Sequence, residues 1–242
     1  MAVTRTVAPR RRAIWGTRHP RGFSRFAVTL ALPLAVLTTA CSGEEPAQAG
    51  PPDDYVCDIA SGSAEEKLLR QVIRADSFET RIGNRVPDFV EKMTINLRGK
   101  PEGRVTLSVR QCEYLPKGAH ADGQATIEYK WAPLTEAETG RDAEGTRSYK
   151  FDGATGKSND VMTDLYVQCD LPGELNAQSK KVLLHADASF TVNLGQVKDH
   201  GTQDQQMSFV HNMTRRATEV LGCENKPLAK DPVVKPLPES TP

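Results

Sequence analysis

The residue set best placed to do chemistry sits on one segment. Between Leu184 and Leu194, the apolar residues Leu184, Ala186, Ala188, Phe190, Val192 and Leu194 alternate with His185, Asp187, Ser189, Thr191 and Asn193. Strict period-2 alternation predicts a half-buried β-strand, with His185 and Asp187 two residues apart on one face. A carboxylate beside an imidazole orients the ring and suits general-base or metal chemistry, with Ser189 or His200 as a third member. The simpler reading places these residues on the solvent side of an amphipathic strand, and no catalytic, cofactor-binding or metal-ligating residue is assigned. Gly156-Lys157-Ser158 has the ending of a phosphate-binding loop. The glycine that such a loop needs five residues earlier is Phe151, so the segment reads as a turn. His211 falls in a C-terminal helical pattern, where a satisfied, half-buried histidine is expected.

Cysteines supply the other chemistry. Cys41 follows an arginine-rich stretch and then Phe26 to Ala40, 15 uncharged and mostly apolar residues. A membrane-spanning helix needs about 20 such residues, so the run reads as the apolar core of a secretory signal over residues 1–40. Leu37-Thr38-Thr39-Ala40-Cys41 resembles a lipobox, in which the cysteine is lipidated, except that Thr38 stands where leucine is usual. Ala47-Gln48-Ala49 is an alternative cleavage site that would release a secreted form. The other four cysteines, Cys57, Cys112, Cys169 and Cys223, are even in number in a chain that leaves the cytoplasm, which predicts two disulfides. Three pairings are open. Cys57 with Cys112 and Cys169 with Cys223 is the favoured one, each bridge restricting the unfolded chain by about 4 kcal/mol.

The 242 residues carry 31 basic and 31 acidic groups. Seven arginines and no acid fall in residues 1–40, so residues 41–242 hold 24 basic and 31 acidic groups, a net of −7. An acidic chain lacks the footprint that binds phosphate backbones, which argues against nucleic acid. Residues 41–56 are polar and proline-bearing and read as a flexible tether. Residues 224–242 hold five prolines and read as a disordered tail.

Between them, residues 57–223 have the size of one domain. Ser63 and Glu66 form a capping box ahead of Leu68, Leu69, Val72 and Ile73, which predicts a helix over 64–75. Alternation predicts strands at Met93, Ile95 and Leu97, at Val105, Leu107 and Val109, at Ala125 to Trp131 and at Leu165 to Cys169. Asp122-Gly123 and Asp152-Gly153 mark turns around a connection, 133–147, expected to be solvated. Met207, Val210, Met213, Thr214, Ala217 and Leu221 predict a helix over 203–221 that covers a sheet. The expected class is α+β: an antiparallel sheet flanked by an N-terminal and a C-terminal helix and stapled by two disulfides.

With Cys41, the paired cysteines, Trp131 in TIEYKWAPL and the ending LGCENKPL, the chain resembles the uncharacterised cell-envelope lipoproteins of actinobacteria. That resemblance implies a lipid-anchored, outward-facing domain on the cell membrane and transfers only Cys41 and the disulfide cysteines. The expected function is a non-enzymatic binding or interaction module at the membrane surface, without cofactor, whose partner is an envelope protein or small ligand. An envelope hydrolase using His185 and Asp187, or an assembly factor of the envelope, are the alternatives.

Overall fold

The computed structural model describes residues 55–100, 103–117, 123–139, 143, 145–191 and 200–237. The expected signal peptide, Cys41, most of the tether, His120 and Asp122 lie outside the described residues. Among the described residues, no helix is long and apolar enough to cross a membrane. Both disulfides and the whole described core, Val56 to Leu228, belong to the compact unit 48–242.

Helix α1 (Ala64–Ile73) starts as its capping box requires. Ser63 Oγ accepts from the Glu66 amide at 3.1 Å, the Glu66 carboxylate accepts from the Gly62 amide, and Leu69, Val72 and Ile73 are buried. Strand β1 (Phe78–Ile82) follows, then helix α2 (Val86–Arg98). The strand expected at Met93, Ile95 and Leu97 is therefore helical. Phe89, Met93 and Leu97, at a spacing of four, form the buried face, Pro87 stands in the first turn where its missing donor is harmless, and Ile95 points to solvent. Val105 and Leu107 lie in an extended connection outside the sheet, so that predicted strand starts only at Val109.

Strands β2 (Val109–Pro116), β3 (Gln124–Pro133), β4 (Arg147–Phe151), β5 (Ala154–Ser158), β6 (Met162–Val167) and β7 (Val182–Thr191) complete a seven-stranded antiparallel sheet of order β1-β2-β3-β7-β6-β5-β4. Val192, Asn193 and Leu194, expected to extend β7, lie outside the described residues. Short helices α3 (Glu136–Thr139) and α4 (Asn176–Ser179) sit in connections, and α5 (His200–Leu221) closes the domain. The fold is α+β, with helices at both ends of an antiparallel sheet. The disulfides pair as favoured, Cys57 with Cys112 and Cys169 with Cys223.

One face of the sheet packs on α1, α2 and α5. Trp131 donates its indole N–H to the Met93 carbonyl at 2.9 Å, Phe89 meets Tyr129 edge-on, and Tyr114 meets Phe209 in the same way. Gly156-Lys157-Ser158 is part of β5, not a turn. Its glycine is where α5 comes closest: a Cβ there would stand 2.6 Å from the Met207 methyl carbon and 3.2 Å from the Asp164 carbonyl oxygen. Packed residues extend past 57–223 at both ends. Val56 is fully buried, and Arg216 donates to the carbonyls of Val56 and Asp58. At the other end Leu228 is buried, Asn225 exchanges hydrogen bonds with Gln168 and Asp170, and Pro236 bridges Tyr149 on β4. Residues 238–242 of the tail lie outside the described residues.

Candidate functional site

The opposite face of the sheet is built from two rows of polar residues. Register alone brings them together, because alternate residues of each antiparallel strand project to the same side. Lys130, His185, Tyr166, Thr155 and Lys150 form one row across β3, β7, β6, β5 and β4. Arg110, Glu128, Asp187, Asp164, Lys157 and Ser148 form the next, reaching from β2 to β4.

At its centre the expectation of a solvent-facing His185 is overturned. The imidazole side chain is 3 % exposed. It stacks on the Tyr166 ring at 4.1 Å, and its Nε2 lies 2.7 Å from Asp164 Oδ1. Asp164, not Asp187, is thus the carboxylate that orients the ring. Asp187 takes a 2.8 Å ion pair from Lys130, and Arg110 pairs with Glu128 at 2.9 Å, so each carboxylate of the central row has a cationic or imidazole neighbour. Ser189 bonds Thr126 across the strands instead of joining His185. His200 lies in the first turn of α5.

The connection from β3 to β4, here called the strap, joins strands that β7, β6 and β5 separate in the sheet; residues 134–139, 143, 145 and 146 of it are described. Ala143 and Thr146 enclose a small cavity of about 50 Å³ with Met162 and Asp164. The Gly145 carbonyl accepts from Gln203 of α5 at 3.1 Å, which ties the end of the strap down. Leu134, Thr135, Glu138, Thr139, Ala143 and Gly145 of this connection are exposed, as expected of a solvated segment, while Ala137, Glu138, Ala143 and Thr146 border the polar face. Beside them lies an open cleft of about 560 Å³, with Ser148, Lys150, Thr155, Lys157 and Tyr166 on the sheet side and Ala137, Glu138 and Ala143 on the strap side.

No family model, curated protein or solved structure matches this chain. The chemistry of the face must therefore be read from its own groups. One donor atom each from Asp164, His185 and Asp187 lie within 4.8 Å of one another, a set that fits a divalent cation by ligand type. Metal entry would have to displace the Lys130 ammonium from Asp187 and the imidazole from Asp164, an internal competition that disfavours it. Hydrolytic use of His185 meets a different obstacle. A general base must come within hydrogen-bond reach of the proton it takes, and this ring is sandwiched behind Tyr166 and is not among the residues that line the cleft.

A second cleft of about 420 Å³ lies between the β4–β5 hairpin and residues 225–233, with His211 at its base. His211 is 2 % exposed, more deeply buried than expected, its Nδ1 has no hydrogen-bond partner among the described residues where a satisfied ring was expected, and its ring lies 5.1 Å from that of Phe151. Burial, with Arg215 close by, pushes its pKa down to about 4, against a smaller opposing pull from Asn212 and Asp231.

Asp164 was the residue missed in the sequence. Met162, Asp164 and Tyr166 do alternate with Thr163, Leu165 and Val167, but β6 is buried on both faces from Thr163 onward, and no pattern in the sequence says that it neighbours β7.

Proposed function

We propose that this chain is a lipid-anchored extracytoplasmic binding module that holds a small anionic ligand in the cleft between the strap and strands β4–β6. The observation that carries the reading is the cleft itself. It is about 560 Å³, within the range of small-molecule sites, and offers hydroxyls of Ser148 and Thr155, the Tyr166 ring and the ammonium groups of Lys150 and Lys157 on a rigid sheet. Among the described residues, Glu138 on the strap is its acidic lining residue. The burial of His185 away from the cleft favours binding over hydrolysis. Export is supported by the arginine-rich start, the 15-residue apolar run, the Leu37-Thr38-Thr39-Ala40-Cys41 sequence and two disulfides, which persist in oxidising compartments.

Two measurements test the two halves. Mass spectrometry of the protein from host membranes should find an acylated N-terminal cysteine at position 41, lost with Cys41→Ala. A thermal-shift panel of sugar acids, phosphorylated sugars and acidic peptides should raise Tm by about 5 °C or more at a hundredfold excess over Kd. Thr155 is exposed on the cleft floor, so Thr155→Trp fills the cleft without touching the core and should abolish that rise. A panel that leaves the wild type unmoved, or that shifts Thr155→Trp equally, removes the binding-cleft reading.

A further inference from the structure

Away from the cleft, three apolar side chains stand in solvent where α2 meets the segment leading into β2. Leu107 is 82 % exposed, Ile95 56 % and Val105 38 %. They are held, not loose. The Asn96 carboxamide donates to the Leu107 carbonyl at 3.0 Å, and Thr106 is pinned to Trp131 twice, amide to carbonyl and Trp131 amide to hydroxyl, each at 2.9 Å. Val105 and Leu107 flank that pinned residue, and Ile95 lies on the outer side of α2, away from Phe89, Met93 and Leu97. Leaving a leucine out of contact forgoes the stabilisation that burial would bring, so a fixed apolar group of this kind marks a surface that is covered in use.

The charge around it runs against the rest of the chain. Residues 92–110 hold five basic groups, Lys92, Arg98, Lys100, Arg104 and Arg110, and one acid, Glu102, whereas residues 41–242 carry a net of −7. Arg110 is committed to Glu128 and Lys92 to Asn84. Arg98, three residues beyond Ile95 on the same helix face, and Arg104, beside Val105, are exposed and have no salt-bridge partner among the described residues; Glu91 and Asp88 are the acids on that helix face, and Asp88 is paired with Arg85. Apolar groups framed by arginines on an otherwise acidic chain fit an anionic bilayer surface: the side chains enter the headgroup region and the cations meet phosphates.

We infer that the Ile95, Val105 and Leu107 patch is the face on which this domain lies against anionic lipid, with Arg98 and Arg104 on the phosphates. The inference rests on the lipid-anchored reading for what brings the domain to a membrane. Residues 42–54 would span up to about 45 Å when extended, enough to let any face of the domain reach the surface. The patch itself is tested without the anchor. The unit 48–242, which contains both disulfides and the described core, is exported and mixed with vesicles of phosphatidylcholine alone or mixed with phosphatidylglycerol, at low salt. Binding to the mixed vesicles should be roughly tenfold stronger or more. Leu107→Asp with Ile95→Asp should remove it, and Arg98→Glu with Arg104→Glu should erase the preference for anionic lipid, while Val233→Asp, at an exposed valine elsewhere, changes nothing. All substituted positions are exposed, and an unchanged thermal midpoint confirms that each variant folds. Equal binding to both vesicles, or insensitivity to the Leu107 and Ile95 substitutions, overturns the inference. A concentration-dependent dimer that Leu107→Asp dissociates overturns it in favour of a second copy. Failure here leaves acylation of Cys41 standing, and failure of acylation leaves the vesicle result standing.

Discussion

The two faces of the sheet bury polar groups differently. On the helix-covered face they sit among large apolar side chains, with Tyr114 donating to the Cys57 carbonyl, Tyr149 to Asp204, and Ser158 meeting Thr163 and Gln206. Burial pushes the Tyr114, Tyr129 and Tyr149 hydroxyls above their ordinary pKa, and holds His211 neutral. On the opposite face the buried groups are ionisable pairs: Asp164 with His185, Asp187 with Lys130. The helices exclude water by contact area, which is lost only when the domain unfolds. On the polar face the described end of the β3–β4 connection is held by the Gln203 bond to the Gly145 carbonyl, and its opening would leave the helix-packed core in place. A ligand site belongs on the second kind of face, where opening does not cost the fold.

The sharpest break in that comparison is Trp131→Ala on the helix face. It empties the largest fully buried side chain and removes the indole bond to the Met93 carbonyl, and should cost about 4 kcal/mol, read as a fall in the urea midpoint with hydrogen exchange accelerated across all strands. Next comes acid. The folded pKa of His211, about 4, lies below the unfolded value near 6.5, so between those pH values the unfolded chain takes up a proton that the folded one refuses. This contribution is therefore complete above about pH 6.5 and lost as pH falls toward 4, by about 3 kcal/mol in all. Urea midpoints followed from pH 7 to pH 4 should show that decline, and His211→Phe should flatten it; a decline unaltered by the substitution would assign it to other groups. The smallest effect belongs to the strap face. Asp164→Asn keeps the shape and weakens the bond to His185, at about 2 kcal/mol. Its exchange signature should be confined to β6 and β7 near the strap. Global acceleration equal to that of Trp131→Ala would show that the two faces are one cooperative unit.

Legibility in the sequence followed the same division. Strands β3 and β7 could be read because one face is apolar along their length, and α1 because a capping box precedes its stripe. Residues 93–97 were misread because Met93 and Leu97 fit both a period of two and a spacing of four; Phe89 and Pro87, which settle it, lie just upstream, and Ile95 satisfies only the wrong pattern. Strand β1 went unseen, being a five-residue edge with no residue below half-burial. Strand β6 shows why Asp164 was missed: a strand covered on both sides carries no alternation to say which face matters. In the candidate site, His185 and Asp187 were legible as a pair on one strand face, while their true neighbours were not.

What the sequence determined alone is local or arithmetical. Periodicity and caps set α1, β3, β6, β7 and α5, four cysteines at intervals of 55, 57 and 54 suggested the disulfide pairing, and the apolar run before Cys41 set the expected address. Strand order was decided only in three dimensions. The chain goes from β3 to β4 in sequence but places β7, β6 and β5 between them, and that non-local choice sets His185 against Asp164 and brings Ala137, Glu138 and Ala143 beside β4, β5 and β6 to form the cleft. Side-chain periodicity reports which face of a strand is wet; it holds no information about which strand lies alongside, because that depends on how all the elements jointly bury their apolar area.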